Sequence, residues 1–134
     1  MKTCVIYVDG ASRGNPGTAG IGISLQDPSG AELATVSRHL GLTTNNRAEY
    51  TALVEALRLA KEKQFEGVEI RADSQLMVRQ MTGQYQIRDQ ILKGFWDEAQ
   101  KLSKEFSSFA INHIPRDEND RADELANQAL DLPA

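Results

Sequence analysis

The chain has 134 residues, of which 40% are hydrophobic and 25% charged, and carries a formal net charge of −4. That length supports one domain whose core needs neither disulfides nor a structural metal. The mildly acidic balance argues against a strong non-specific grip on nucleic acid, which depends on clustered Lys and Arg.

The first apolar run contains the single cysteine, Cys4. One cysteine closes no intrachain disulfide and makes no zinc site, so a buried thiol in a reducing, cytoplasmic setting is the expectation. The run 4–8 is too short for a signal peptide and is followed directly by an acid, Asp9. No stretch approaches the ~20 apolar residues of a membrane span.

Residues 3–9 are apolar on both faces, the pattern of a central strand. Residues 10–17 are dense in turn formers, with Gly10, Gly14, Asn15, Pro16 and Gly17. A second strand is expected over 18–26, with glycines at 20 and 22. Asp27-Pro28-Ser29-Gly30 then turns the chain into a third strand at about 31–40, completing an antiparallel meander.

The period changes next. Ala48, Ala52, Leu53, Ala56, Leu57 and Ala60 recur at three- and four-residue spacing and predict a helix over 45–63. A strand at 67–73 is followed by helices at 74–82 and 88–104, then a strand at 107–114 that stops at Pro115. The last helix carries Ala122, Leu125, Ala126, Ala129 and Leu130 on one stripe. The order β-β-β-α-β-α-α-β-α contains no repeat or linker and is one domain over 1–134.

Topology brings acids together. A strand–helix–strand crossover makes a right-handed parallel pair. If the strand at 67–73 lies beside the first, Asp9 and Asp73 end neighbouring strands roughly 5 Å apart in backbone, at the edge where open α/β sheets place their sites. Glu49 shares the stripe of Leu53, Ala56 and Ala60, which turns it toward the sheet, and Asp123 lies early in the last helix. Each acid also has a structural reading. Glu49 can complete a capping box with Asn46, and Asp73 can cap the helix after it. Asp123 can favour the helix dipole, and Asp9 can be a turn residue. Those readings leave unexplained why two acids end adjacent strands while a third faces them from a helix. A cage for hard divalent cations explains it: magnesium takes oxygen ligands, and two ions about 3.5–4 Å apart can flank one phosphate. Clustered acids also predict bound metal or a raised pKa.

Four blocks carry a specific likeness. They are Tyr7-Val8-Asp9-Gly10-Ala11-Ser12-Arg13-Gly14-Asn15-Pro16-Gly17, Thr44-Asn45-Asn46-Arg47-Ala48-Glu49, Ala72-Asp73-Ser74-Gln75, and Asn119 with Ala122-Asp123-Glu124-Leu125-Ala126. In this order, and over nearly the whole chain, they resemble the type 1 ribonuclease H family. The resemblance implies an α/β fold of ribonuclease H type, a five-stranded mixed sheet of order 3-2-1-4-5 flanked by helices. It implies endonucleolytic cleavage of RNA in an RNA–DNA hybrid, dependent on two Mg2+ or Mn2+ ions per site and leaving 5′-phosphate and 3′-hydroxyl ends. A non-catalytic hybrid-binding module on the same fold is the alternative.

By the same resemblance Asp9, Glu49, Asp73 and Asp123 are the metal-binding carboxylates, with Glu49 also reaching a ribose 2′-hydroxyl. Asn15 and Thr44 would hold a DNA-strand phosphate, and Asn45, Asn46 and Gln75 would contact the minor groove. Arg116 stands where many members carry a loop histidine and is a candidate for assisting catalysis; His113 is expected to be a packed strand residue. The lysine-rich protrusion of some members is missing from 84–106, which implies weak, salt-sensitive hybrid binding. Trp96 shares an apolar stripe with Leu92 and Ala99 and is expected in the core or as partly exposed support. A monomer is expected.

Overall fold

The computed structural model describes residues 1–131. Strands β1 (Thr3–Gly14), β2 (Gly17–Gln26) and β3 (Glu32–Thr43) precede helix α1 (Asn45–Glu62) and strand β4 (Gly67–Ala72). Helices α2 (Gln75–Met81) and α3 (Gln90–Ser103), strand β5 (Ser108–His113), a 3-10 turn (Arg116–Glu118) and helix α4 (Asp120–Asp131) complete the described chain. The five strands form one sheet of order β3-β2-β1-β4-β5. The β1–β2–β3 meander is antiparallel, whereas β4 runs parallel to both β1 and β5. The expected fold class and strand order are therefore present.

Two strand ends move by three residues or more from expectation. β1 continues past Asp9 to Gly14, because Gly10–Gly14 pair with Gly17–Ile21 in the hairpin and the turn itself shrinks to Asn15 and Pro16. β3 likewise runs on to Thr43, pairing Leu42 and Thr43 with Thr18 and Gly17. Turn-forming composition marked the loop, but backbone pairing absorbed most of it.

The apolar stripe of α1 packs one face of the sheet. Ala48, Ala52, Leu53, Ala56, Leu57 and Ala60 are all fully buried against Ile6, Val8, Ile21, Ile23 and Ile70 of the strands. α4 covers β2, β1 and β3 from the opposite face. Removing a Leu- or Ile-sized side chain from water contributes about 1.5–3 kcal/mol, so this one core, of which Cys4 is a member, holds the site's scaffold. That thiol is buried, and burial pushes it up to about 11. Trp96 is partly buried and its indole N–H donates to the Gln80 carbonyl at 3.0 Å, the support role expected of it. No helix among the described residues is long and apolar enough to cross a membrane.

Candidate active site

The parallel β1–β4 register ends at Val8 opposite Ala72. Asp9, the next residue of β1, and Asp73, the first residue after β4, flank the point where β1 parts from β4 but stays paired with β2. Side chains alternate along a strand. Gly10 therefore points toward α1 while Asp9 and its β2 partner Gly22 point toward α4. Both glycines are needed for close approach. A Cβ at Gly10 would overlap the Ala48 carbonyl and the Glu49 amide of α1, and one at Gly22 would overlap the Ala122 carbonyl and the Ala126 amide of α4. The missing side chains let two helices, carrying Glu49 and Asp123, settle onto the sheet beside Asp9.

The capping readings of Glu49 and Asp73 fail. α1 is capped by Thr44, whose hydroxyl accepts from the Arg47 amide at 3.2 Å, and Glu49 instead accepts from the Gly10 amide at 3.3 Å. α2 is capped by Ser74, whose hydroxyl accepts from the Met77 amide at 3.2 Å. Neighbours therefore meet the helix ends and release both carboxylates. Asp9 lies within a strand that runs on to Gly14, not at a turn.

Carboxylate oxygens of Asp9, Glu49 and Asp73 lie within 4.8 Å of one another. Asp9 and Glu49 are buried, at 5% and 4% exposure, and Asp73 is half-buried. Asp123 stands just outside that trio. It is half-buried, accepts from Asn127 Nδ2 at 3.2 Å, and adds its charge to those acting on Asp9. Burial first, then the Asp73 charge, pushes the Asp9 carboxyl up to about 7. Glu49 is raised well above the usual carboxylate range by burial and then by the charges of Asp9 and Asp73. Asp73 is also raised, by burial, against the opposing hydrogen bond from Asn119 and the Arg116 charge.

This donor set fits a hard divalent cation. It is made of oxygens alone, and Glu49 Oε2 is buried with no hydrogen-bond partner, an arrangement that is expensive unless something cationic or protonated meets it. The carboxylates open into a cavity of about 410 Å3 that is also lined by Gly10, Ala11, Ser12, Asn45, Ser74 and Arg116.

Other expected residues surround this mouth. Arg116 lies in the 3-10 turn on the cavity wall beside Asp73. His113 is the last residue of β5 and is exposed, not packed as expected, because α4 covers β2, β1 and β3 and leaves the end of β5 open. Asn15 and Asn45 are joined, the Asn45 amide donating to Asn15 Oδ1 at 3.1 Å, and both are exposed with Asn46 at the entrance to α1. Gln75 is exposed at the start of α2. Sequence reasoning gave no role to Ser12 or to Gly22. Ser12 donates to the Gly14 carbonyl and, at 3.3 Å, to Thr43, holding the hairpin against the entrance to α1. The signal for Gly22 was present as one of two glycines inside a strand pattern.

Comparison with known proteins agrees with this fold. Residues 7–129 match the family described as reverse transcriptase-like. A ribonuclease HI of Halobacterium salinarum is 45% identical over 125 residues, which are 93% of this chain and 63% of that relative. The chain spans only 36% of the mycobacterial relatives it matches. The crystal structure of an RNase H1 from Halobacterium salinarum superposes with a TM-score of 0.94 at 43% identity, over 96% of this chain and 98% of that one. A crystal structure of LC11-RNase H1 in complex with an RNA/DNA hybrid gives 0.91 at 42% identity over 96% of each chain.

Proposed function

The chain belongs to the type 1 ribonuclease H family, and from that premise we propose that it hydrolyses the RNA strand of RNA–DNA hybrids endonucleolytically, leaving 5′-phosphate and 3′-hydroxyl ends. One observation carries the reading: three carboxylates from β1, α1 and the end of β4 converge within 4.8 Å, one with a buried, unpartnered oxygen. Asp9, Glu49 and Asp73 would hold a divalent cation of the Mg2+ or Mn2+ type, with Asp123 completing the site for a second. Such ions supply positive charge to the phosphate and its leaving oxygen and ease deprotonation of the attacking water.

The chain's own groups do the rest. Arg116, with its fixed positive charge beside Asp73, would meet the scissile phosphate or its product. Glu49, set by the Gly10 amide, would accept from the 2′-hydroxyl of the cleaved nucleotide, the group that separates RNA from DNA. Asn15 and Thr44 would hold a phosphate of the DNA strand. The Thr44 oxygen already caps α1, which leaves its proton to donate. Asn45, Asn46 and Gln75 would reach the minor groove from the two helix entrances on either side of the cavity. The ions number two, the working unit is a monomer, and the setting is the cytoplasm in this reading.

The test is a hybrid with 5′-labelled RNA in magnesium or manganese, beside RNA–RNA and DNA–DNA duplexes, with wild type compared to Asp73→Asn. RNA cut only in the hybrid, only with metal and not by the variant, is expected. Binding without cleavage in either metal would replace the enzyme with a hybrid-binding module.

A further inference from the structure

We propose that Asn119 is a positioning residue that locks together the chain segments bearing Asp9, Asp73, Asp123 and Arg116, an inference that rests on the nuclease reading above. Asn119 is 1% exposed, in the junction between the 3-10 turn and α4. Its Nδ2 donates to the Val8 carbonyl at 2.9 Å, the residue before Asp9, and to Asp73 Oδ2 at 3.4 Å. Its backbone carbonyl accepts from the Asp123 backbone N–H at 3.1 Å, and its backbone N–H donates to the Arg116 carbonyl at 3.1 Å.

These four bonds reach four places. Val8 lies where β1 parts from β4, Asp73 at the end of β4, Asp123 in the first turns of α4, and Arg116 in the 3-10 turn. The amide orientation is dictated by its neighbours. Nδ2 faces two oxygens, and a reversed amide would set Oδ1 against a carbonyl and a carboxylate. The remaining atom, Oδ1, is buried with no hydrogen-bond partner. A buried amide left half-satisfied is a poor device for stability alone. It is well suited to fixing the plane of one carboxylate relative to the strand that carries another, because the bond to Asp73 occupies one oxygen and restrains its rotation. Catalytic groups need placement within about 0.5 Å, and a loosened Asp73 would degrade both metal affinity and turnover while leaving the distant hybrid contacts alone.

Wild type, Asn119→Ala and Asn119→Ser should be titrated with Mn2+ by calorimetry well below their melting temperatures, and assayed on the hybrid under the same conditions. For Asn119→Ala the expected result is Mn2+ affinity weakened at least about fivefold and kcat lowered at least about tenfold, with KM for the hybrid within about twofold of wild type. Asn119→Ser, which keeps a donor too short to span both acceptors, should fall between. A residue that merely anchors α4 would lower the melting temperature and leave these quantities alone. Mn2+ affinity and kcat within twofold of wild type in a folded variant would overturn the proposal; if Asn119→Ala fails to fold, Asn119→Ser is held to the same criterion. Wild type that binds Mn2+ but leaves the hybrid intact would overturn the nuclease reading instead, and the calorimetric comparison would still decide the role of Asn119.

Discussion

Glu49 Oε2 has no hydrogen-bond partner, and both buried carboxyls are held above their ordinary range, Asp9 by burial and then the Asp73 charge, Glu49 by burial and then the charges of Asp9 and Asp73. A site so built is destabilising until a cation enters. Asp9→Asn should therefore abolish hybrid cleavage, by about 1,000-fold or more, while raising the unfolding free energy of the metal-free protein by about 1–3 kcal/mol at pH 7.5. Denaturant melts in EDTA beside the hybrid assay check both signs, and a less stable metal-free variant would contradict the repulsion. Glu49→Gln should show the same pairing of effects. At this scale Asp9 and Asp73 were legible because each ends an apolar strand run, and Glu49 because it shares the stripe of Leu53 and Ala56. Asp123 was legible chiefly through the family resemblance: on a helix surface its spacing alone resembles a favourable dipole partner. The linking role of Asn119 could not be read, since its side chain meets the Val8 carbonyl 111 residues earlier in the chain.

Between elements, what sets the site is how closely α1 and α4 approach the sheet. Gly10 and Gly22 have no room for a Cβ, and the obstructing atoms are helix backbone that cannot step aside. Gly22→Ala should cost about 2–4 kcal/mol, and any folded fraction should lose turnover, because α4 would lift Asp123 away from Asp9. Thermal melts with kcat measured per folded molecule test this; a stable, fully active variant would show that α4 can shift without moving Asp123. Losing the Thr44 cap is a milder change. Thr44→Ala should destabilise by about 1 kcal/mol and raise KM for the hybrid more than it lowers kcat, since Glu49 lies more than one turn further along α1. Helix and strand order were legible from periodicity, and the parallel β1–β4 pairing from the crossover rule. The length of β1 was not, because glycines that signal a loop also permit a tight paired hairpin, and sequence composition does not separate the two.

For the molecule as a whole, the carboxylate cluster couples folding to pH and to metal with a sign that can be worked out. An Asp in the unfolded chain titrates near 3.9, whereas Asp9 in the folded, metal-free protein titrates at about 7. Between those values the folded state keeps a proton that the unfolded chain has released. The contribution of Asp9 is thus fully present below about pH 4 and is lost as pH rises through about 7; Glu49 and Asp73, also raised, act in the same direction. Glu69 works the opposite way. Arg71 beside it lowers its carboxyl, and its contribution is lost as pH falls through that lowered value. Glu69 is partly exposed, so its weight is smaller. The metal-free protein should accordingly be most stable in mild acid and lose stability steadily from about pH 5 to pH 8. A divalent cation needs the ionised carboxylates and displaces the retained protons. Its stabilisation, about 2.7 kcal/mol at 100 times Kd, should therefore be large at pH 8 and small at pH 5.5, where protons compete for the same oxygens. Melting curves in EDTA, magnesium and manganese at those two pH values decide the matter. A metal-free protein insensitive to pH, with equal metal increments at both values, would show that the acids are already ionised and that burial within the trio carries no strain.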